Sequence, residues 1–236
     1  MFSSQHLSRN HLLIALSPDD RGILEPFLEL IDLKLYDDLE KPNTSIKNVY
    51  FMESGVASVV AVSDRDNRIE IGLIGREGMT GSAVVLDGGS SPHETYIQLA
   101  GNGQRISAGE LRRAMKRSET LTSLLLKSAQ AFLVQTAHTA IANARGKVEQ
   151  RLARWLLMAH DRVDGDDLPL THEFLALMLG VRRAGVTESI ANLEGERMIR
   201  ARRGRITVID RGSLETKAAG FYGIPEAEFH RLIGRC

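Results

Sequence analysis

The chain has 236 residues, 43% hydrophobic and 25% charged, and its 30 basic and 30 acidic residues give a formal net charge of zero at pH 7. This balance is typical of a globular chain long enough for two domains, and it excludes wholesale disorder and a uniformly basic surface. The single cysteine, Cys236, excludes an internal disulfide and a cysteine-ligated metal site within one chain. A reducing, cytoplasmic location is therefore expected, without a signal peptide or membrane-spanning segment.

The first half of the chain changes from helical to strand patterns. Ser17 can cap a helix that starts with Pro18 and is predicted to run to about Leu30. From residue 46 to 106, short β-branched runs alternate with glycine-rich turns, and 64–68 resembles a hairpin loop. Many short strands with such turns predict a β-barrel or jelly roll.

A long helix is predicted from Ser118 to Ala144, a stretch without proline or glycine. About 25 helical residues span roughly 38 Å, enough to run past the β-domain. One apolar stripe of this helix is predicted to pair with the same helix of a second copy. The stripe consists of Leu121, Leu125, Phe132 and Thr136. The alternative is that the helix packs only on its own β-domain.

Three regions follow from these patterns. Gly146 separates the long helix from a second helix, 147–163, which ends before a polar break. We place the boundary near Arg145 and divide the chain into a β-domain at 1–117, a long helix at 118–145 and a helical domain at 146–236.

A helix-turn-helix pattern lies within the last region. Thr171 is a predicted cap for a short helix, His172–Leu179, and Gly180 suits the tight turn that follows. A second helix is predicted at about 183–197, and the small Ala176 allows a close crossing of the two helices.

Basic residues gather around this second helix. Between Arg182 and Arg205 there are seven arginines and three glutamates, an excess of four positive charges in a chain of zero net charge. Strands at about 199–202 and 206–209 predict a wing that turns at Arg203-Gly204. Such a local excess is what DNA phosphates require. The predicted DNA-binding residues are Arg182, Arg183, Ala184, Thr187 and Glu188 on the helix and Arg202, Arg203 and Arg205 on the wing. The alternative is a solvated charged hairpin on a module that contacts proteins.

These segments resemble the Crp/Fnr superfamily of bacterial transcription regulators, relatives of the cyclic-AMP receptor protein. The resemblance is strongest in VYFMESGVASVVA, in IEIGLIGREGMTG and in the stretch from LTHEFLALMLG to ITVID. It implies an α+β fold with an N-terminal cyclic-nucleotide-binding-like β-roll (a double-stranded β-helix), a long dimerisation helix and a C-terminal winged helix-turn-helix. It also implies that Arg183, Ala184 and Glu188 face bases.

The resemblance further implies an effector pocket in the β-roll. Its residues would be Gly81, Ser82, His93, Glu94 and Thr95. Ser82 stands where cyclic-nucleotide binders carry a glutamate, and the segment lacks the arginine that would bind the phosphate. Cyclic AMP and cyclic GMP are therefore not expected. The seven histidines form no pair at helical spacing, so no metal or cofactor is expected, although His93 is the one histidine placed to ligate a haem.

Two functions remain open at this stage. The first is a homodimeric, sequence-specific DNA-binding transcription regulator, with an inverted-repeat operator and RNA polymerase as partners. The second is a small-molecule-binding β-roll protein whose helical module contacts other proteins. An enzyme is disfavoured, since the sequence has no phosphate loop, complete dinucleotide fingerprint, zinc-protease motif or nucleophile elbow.

Overall fold

The computed structural model describes residues 8–63 and 67–234. The centre of the predicted 64–68 loop, together with Cys236 and His6, lies outside this part of the chain. Strands on either side of the loop pair in antiparallel register, with Val62 opposite Arg68.

Two short helices begin the described chain, α1 (His11–Ile14) and α2 (Pro18–Leu24). Ser17 caps α2 as predicted, because its hydroxyl accepts a hydrogen bond from the Asp20 amide at 3.1 Å. The predicted extension of this helix to Leu30 is wrong. A 3-10 turn at Glu25–Phe27 ends it, and an extended strand follows at once.

The β-domain consists of antiparallel sheets joined by tight turns. Its strands are β1 (Glu29–Leu33), β2 (Asp38–Glu40), β3 (Thr44–Ser45), β4 (Asn48–Met52), β5 (Val56–Val62), β6 (Arg68–Ile74), β7 (Ser90–Ser91), β8 (Glu94–Leu99) and β9 (Gly101–Ser107), with helix α3 (Ser82–Val85) between β6 and β7. One sheet has the order β1-β9-β4 and another the order β2-β8-β5-β6, while β3 pairs with β7. Leu33 and Met52 of the first sheet pack against Val59 and Ile97 of the second, so the core of this domain lies between the two sheets.

Helix α4 (Ala108–Arg117) leads into the long helix α5 (Glu119–Arg145), which has 27 residues. The helix is fixed to the β-domain where the Gln135 side chain accepts a hydrogen bond from the Leu73 amide at 2.7 Å and donates one to its carbonyl oxygen at 3.1 Å. Gly72 allows this approach, since a Cβ atom there would lie 2.6 Å from the Phe132 ring. Helix α5 therefore packs directly on strand β6.

The C-terminal part is a helical domain with a small sheet. Its elements are α6 (Val148–His160), β10 (Asp167–Leu168), α7 (His172–Leu179), α8 (Arg183–Gly195), β11 (Ile199–Arg202), β12 (Arg205–Val208), α9 (Arg211–Lys217) and α10 (Ile224–Ile233). The sheet order is β10-β12-β11. Helix α8 ends two residues before the predicted end.

The C-terminal domain packs on the outer face of the β2-β8-β5-β6 sheet. Val60 and Tyr96 of that sheet belong to one apolar cluster with Trp155 and Met178. Within this interface the carboxylate of Glu70 accepts hydrogen bonds from the Trp155 indole N–H at 2.6 Å and from a serine hydroxyl on β5 at 2.5 Å. Because this carboxyl group is removed from water, its pKa rises to about 7.

Candidate nucleic-acid interface

The turn between α7 and α8 has the geometry that the sequence predicts. The Thr171 hydroxyl accepts a hydrogen bond from the Phe174 amide at 3.2 Å and caps α7. Gly180 adopts a φ of 60°, a left-handed conformation that glycine adopts without strain. Met178, Val186 and the following apolar residues of α8 are buried, so the opposite face of α8 is left to the solvent.

That solvent face holds the helix residues predicted to bind DNA. They are Arg182, Arg183, Ala184, Thr187 and Glu188, and every one of them is exposed. In the described chain the guanidinium groups of Arg182 and Arg183 form no hydrogen bond or ion pair. These two cations are therefore free to meet an external anion.

The position of the arginines is electrostatically unfavourable for the isolated helix. Helix N-termini carry a partial positive charge and favour acidic residues, yet the first turn of α8 has none and begins with Arg183. Arg182 immediately precedes it as the N-cap, without a side-chain capping bond. The amide groups and the two arginines together attract an anion such as a phosphate.

The wing is the hairpin of β11 and β12, in which Arg202 lies opposite Arg205. Gly204 makes the turn with a φ of 73°. The side chains of Arg202, Arg203 and Arg205 are exposed. Arg205 donates to Asp167 of β10 at 3.1 Å, whereas Arg202 and Arg203 form no such contact among the described residues. The wing thus adds free positive charge on the same domain.

One polar contact of this surface is absent from the sequence-based prediction. The His172 Nδ1 atom and the Thr187 hydroxyl share a hydrogen bond of 3.1 Å between α7 and α8. It orients Thr187, which is exposed beside Arg183. The spacing of fifteen residues gives no periodic signal that could reveal such a pair.

Comparisons with known proteins agree with this geometry. A Crp-like helix-turn-helix domain family matches residues 150–217. The global nitrogen regulator of Nostoc sp. (strain PCC 7120) is 25% identical over 176 residues, which cover 71% of this chain and 79% of that protein.

Solved structures share the fold of nearly the whole chain. A Crp/Fnr-family regulator of Eubacterium rectale superposes with a TM-score of 0.69 at 18% identity, covering 89% of this chain and 98% of that one. A CRP-family regulator of Thermus thermophilus gives 0.67 at 18% identity, with 80% and 97% covered. At this identity the likeness establishes the fold, and it confirms the predicted α+β architecture.

The matched domain of residues 150–217 and the shared fold agree with the resemblance to Crp/Fnr-type transcription regulators. The relatives named above are themselves regulators. In the part of this chain that the structure describes, no helix is long and apolar enough to cross a bilayer. The same residues contain no cluster of three or more acidic, histidine or cysteine side chains that could hold a metal ion.

The structure places the residues predicted for an effector pocket in different surroundings. Gly81, with a φ of 78°, directs its amide to the Glu40 carboxylate at 2.7 Å. Thr95 also hydrogen-bonds to Glu40, which is 8% exposed. Burial raises the pKa of Glu40. The Gly81 amide is therefore already hydrogen-bonded to a carboxylate of the chain itself, at a residue that the resemblance assigns to the effector pocket.

The other predicted pocket residues point to different surroundings. Glu94 forms an ion pair with Arg68 of β6. His93 is half-buried, and its backbone amide donates to the Ser91 hydroxyl at 3.1 Å. Ser82 lines a cavity between the β-roll and α5, and that cavity includes none of His93, Glu94 and Thr95.

The apolar face that helix α5 exposes to solvent is not the one that the sequence analysis predicts for a dimer contact. Leu121 and Leu125 are 0% and 1% exposed and pack in the chain's own core, so they cannot meet a second copy. Phe132 and Thr136 are half-buried, with Phe132 against the β-roll. The apolar side chains that remain exposed on α5 are Leu126, Leu133 and Ile141, at 43%, 55% and 49%.

Proposed function

We propose that the protein is a Crp/Fnr-type transcription regulator, a homodimer that binds double-stranded DNA at an inverted-repeat operator, with α8 of each protomer in a major groove. The observation that carries this proposal is the pair of exposed, unpaired guanidinium groups at the N-terminus of α8. Arg183 suits a guanine edge, Glu188 suits a cytosine amine and Ala184 suits a thymine methyl group. The wing arginines contact phosphates.

The exposed stripe of α5 supports the dimer. Leu126 and Leu133 are seven residues apart, and Ile141 continues the same side of the helix. Apolar residues at this spacing join two helices in a coiled coil. Two copies joined there bind half-sites about one helical turn, roughly 34 Å, apart.

The remaining parts of the proposal concern regulation. Residues 1–117 form the sensor, 118–145 the dimerisation helix and 146–236 the DNA-binding domain. A signal at the sensor changes the relative position of the two DNA-binding domains, which requires a different affinity for the two arrangements. RNA polymerase is the partner, and the cytoplasm is the place of action.

Selection of bound sequences from a random oligonucleotide pool tests DNA recognition. The expected result is an inverted repeat with half-sites about one turn apart and an affinity that falls as salt rises. The alternative function, a β-roll protein with a protein-binding helical module, predicts no enriched sequence and no salt-dependent retention on DNA.

The dimer is tested by Leu133→Glu, which places a charge in the proposed helix pair. Light scattering should show a dimer for the wild type and a monomer for this variant. Leu30→Glu is the matched control, since Leu30 is 54% exposed on β1, an edge strand of the β-domain that pairs with β9. Dimers of equal stability in all three proteins would contradict the proposed interface.

A further inference from the structure

A cavity of about 390 Å³ lies where the parts of the regulator meet. Its walls come from the β-roll (Ile74), α5 (Phe132), the end of α6 (Arg162) and the C-terminal segment (Phe229). Cavities of roughly 300 to 1,000 Å³ hold small ligands. A ligand here would touch the sensor, the long helix and the DNA-binding domain at once.

The C-terminal segment closes this cavity. It lies beyond the helix-turn-helix match, which ends at residue 217. The Tyr222 hydroxyl donates to Asp161 at 2.8 Å, and the Phe221 carbonyl accepts from Arg154 at 3.0 Å. Helix α10 then packs along α5, and the Phe229 ring lies 6.2 Å from the ring of His11 in α1. The segment thus runs from the DNA-binding domain back to the sensor.

The walls of the cavity are largely apolar. Leu73, Ile74, Met79, Phe132 and Phe229 line it. Ser82 and Ser128 also line it, and their hydroxyl groups form no hydrogen bond with any described residue. An apolar body with a head group that accepts hydrogen bonds would match this lining.

One donor of the cavity wall that is unpartnered in the described chain favours an acidic head group, although the charged side chains of the lining balance. Arg162 lies 2.7 Å from the Glu77 carboxylate, so that pair is neutral. Arg76, which lines the cavity, shares the single carboxylate of Asp164 with Arg9, at 2.9 and 2.8 Å. The Nε–H group of Arg76 is buried and has no hydrogen-bond acceptor among the described residues, so it is available to a carboxylate in the cavity.

We propose that this cavity binds a small carboxylic acid with an apolar body, its carboxylate near Arg76 and its chain between Phe132 and Phe229. Binding is a property of the cavity alone. Its consequence for DNA affinity rests on the proposed function, because the ligand would fix the position of the DNA-binding domain relative to α5.

Isothermal titration of the full chain with octanoate tests the proposal, with octanamide as the uncharged analogue. Octanoate should bind at one site per chain, and octanamide about tenfold or more weakly, since a charged hydrogen bond is roughly twice as strong as a neutral one. Ala131→Leu fills the cavity and should abolish binding, because Ala131 lines it and is 7% exposed. Ala227→Leu, on α10 but outside the cavity lining, should bind as the wild type does.

Absence of octanoate binding, unchanged binding by Ala131→Leu, or equal affinity for octanamide would each overturn the proposal. If circular dichroism shows that Ala131→Leu is unfolded, Arg76→Met decides. It should weaken octanoate about tenfold and leave octanamide unchanged, since it removes the cation alone. The titrations contain no DNA. Their failure beside an intact operator complex refutes only the ligand site, and the reverse result refutes only the DNA-binding proposal.

Discussion

The C-terminal domain uses arginine differently where it meets the rest of the chain and where it meets solvent. Toward the β-domain, Arg162 donates to Glu77 at 2.9 Å and, within its own domain, to a backbone carbonyl at 2.6 Å. Arg154 donates to Thr139 of α5 at 3.1 Å. On α8 and the wing, the guanidinium groups of Arg183 and Arg203 meet no described acceptor.

This difference separates structural from functional charge. A buried guanidinium group must find acceptors within the protein, because its desolvation is otherwise uncompensated. An exposed, unpaired one contributes little to folding and stays available to an external partner. Substitutions toward the β-domain should therefore change stability, and those on α8 and the wing should change the proposed DNA binding.

The largest effect is expected for Arg162→Met, which leaves the Glu77 carboxylate, 21% exposed, without its cation. The free energy of unfolding should fall by about 3–5 kcal/mol in urea titrations. Arg205→Met is the control, because its pair with Asp167 has side chains 60% and 52% exposed and should contribute less than about 1 kcal/mol. Equal decreases in the free energy of unfolding for the two variants would contradict the difference between the two surfaces.

The next effect concerns pH. The folded-state pKa of Glu70, about 7, exceeds its ordinary value of 4.5, so the native state keeps a proton that the unfolded chain releases between these values. Stability should therefore fall as pH rises from about 4.5 to about 7, by at most about 3 kcal/mol from this group. Glu70→Gln should remove that slope in unfolding measured across this range. A slope unchanged by the substitution would assign it to other groups.

Arg183→Ala should act on DNA instead. Operator affinity should fall by about 1–3 kcal/mol, with relaxed preference at one base pair and an unchanged free energy of unfolding. Gel-shift titrations on single-base operator variants measure the affinity and the base preference, and urea titrations measure the stability. Arg117→Ala, exposed on α4, is the control and should bind like the wild type. Uniform weakening on all operators would make Arg183 a phosphate contact.

The smallest effect is expected for Arg203→Ala on the wing. It should weaken binding evenly across sequences and reduce the slope of log affinity against log salt by about one. Titrations at several salt concentrations give this slope. A change of base preference would instead place Arg203 in a groove.

The helix-turn-helix could be predicted because its signals are local. A capping threonine, a glycine that tolerates positive φ and an apolar period lie within one short segment, and the structure has each in place. The open face of α5 could not be predicted in the same way. Periodicity identifies apolar stripes, but it does not tell whether Leu121 or Leu133 faces the chain's own core.

Contacts between residues far apart in the sequence could not be predicted, because they depend on the tertiary fold. Glu40 and Gly81 are 41 residues apart, and their hydrogen bond joins β2 to the residue that precedes α3. Motif comparison indicates that the cyclic-nucleotide residues are missing, but not which side chain replaces them. Helix α10 has no prediction at all, and its position depends on the surface of α5.

The return of α10 to the long helix adds an attachment for the C-terminal domain beside the joint at Gly146 and the packing on the β2-β8-β5-β6 sheet. A domain that is held at several places cannot rotate about the Gly146 joint alone. A rotation of α8 relative to α5 would require α10 to slide along α5 or to separate from it. Helix α10 therefore restrains the C-terminal domain, and the free energy needed to separate α10 from α5 limits how far α8 can move.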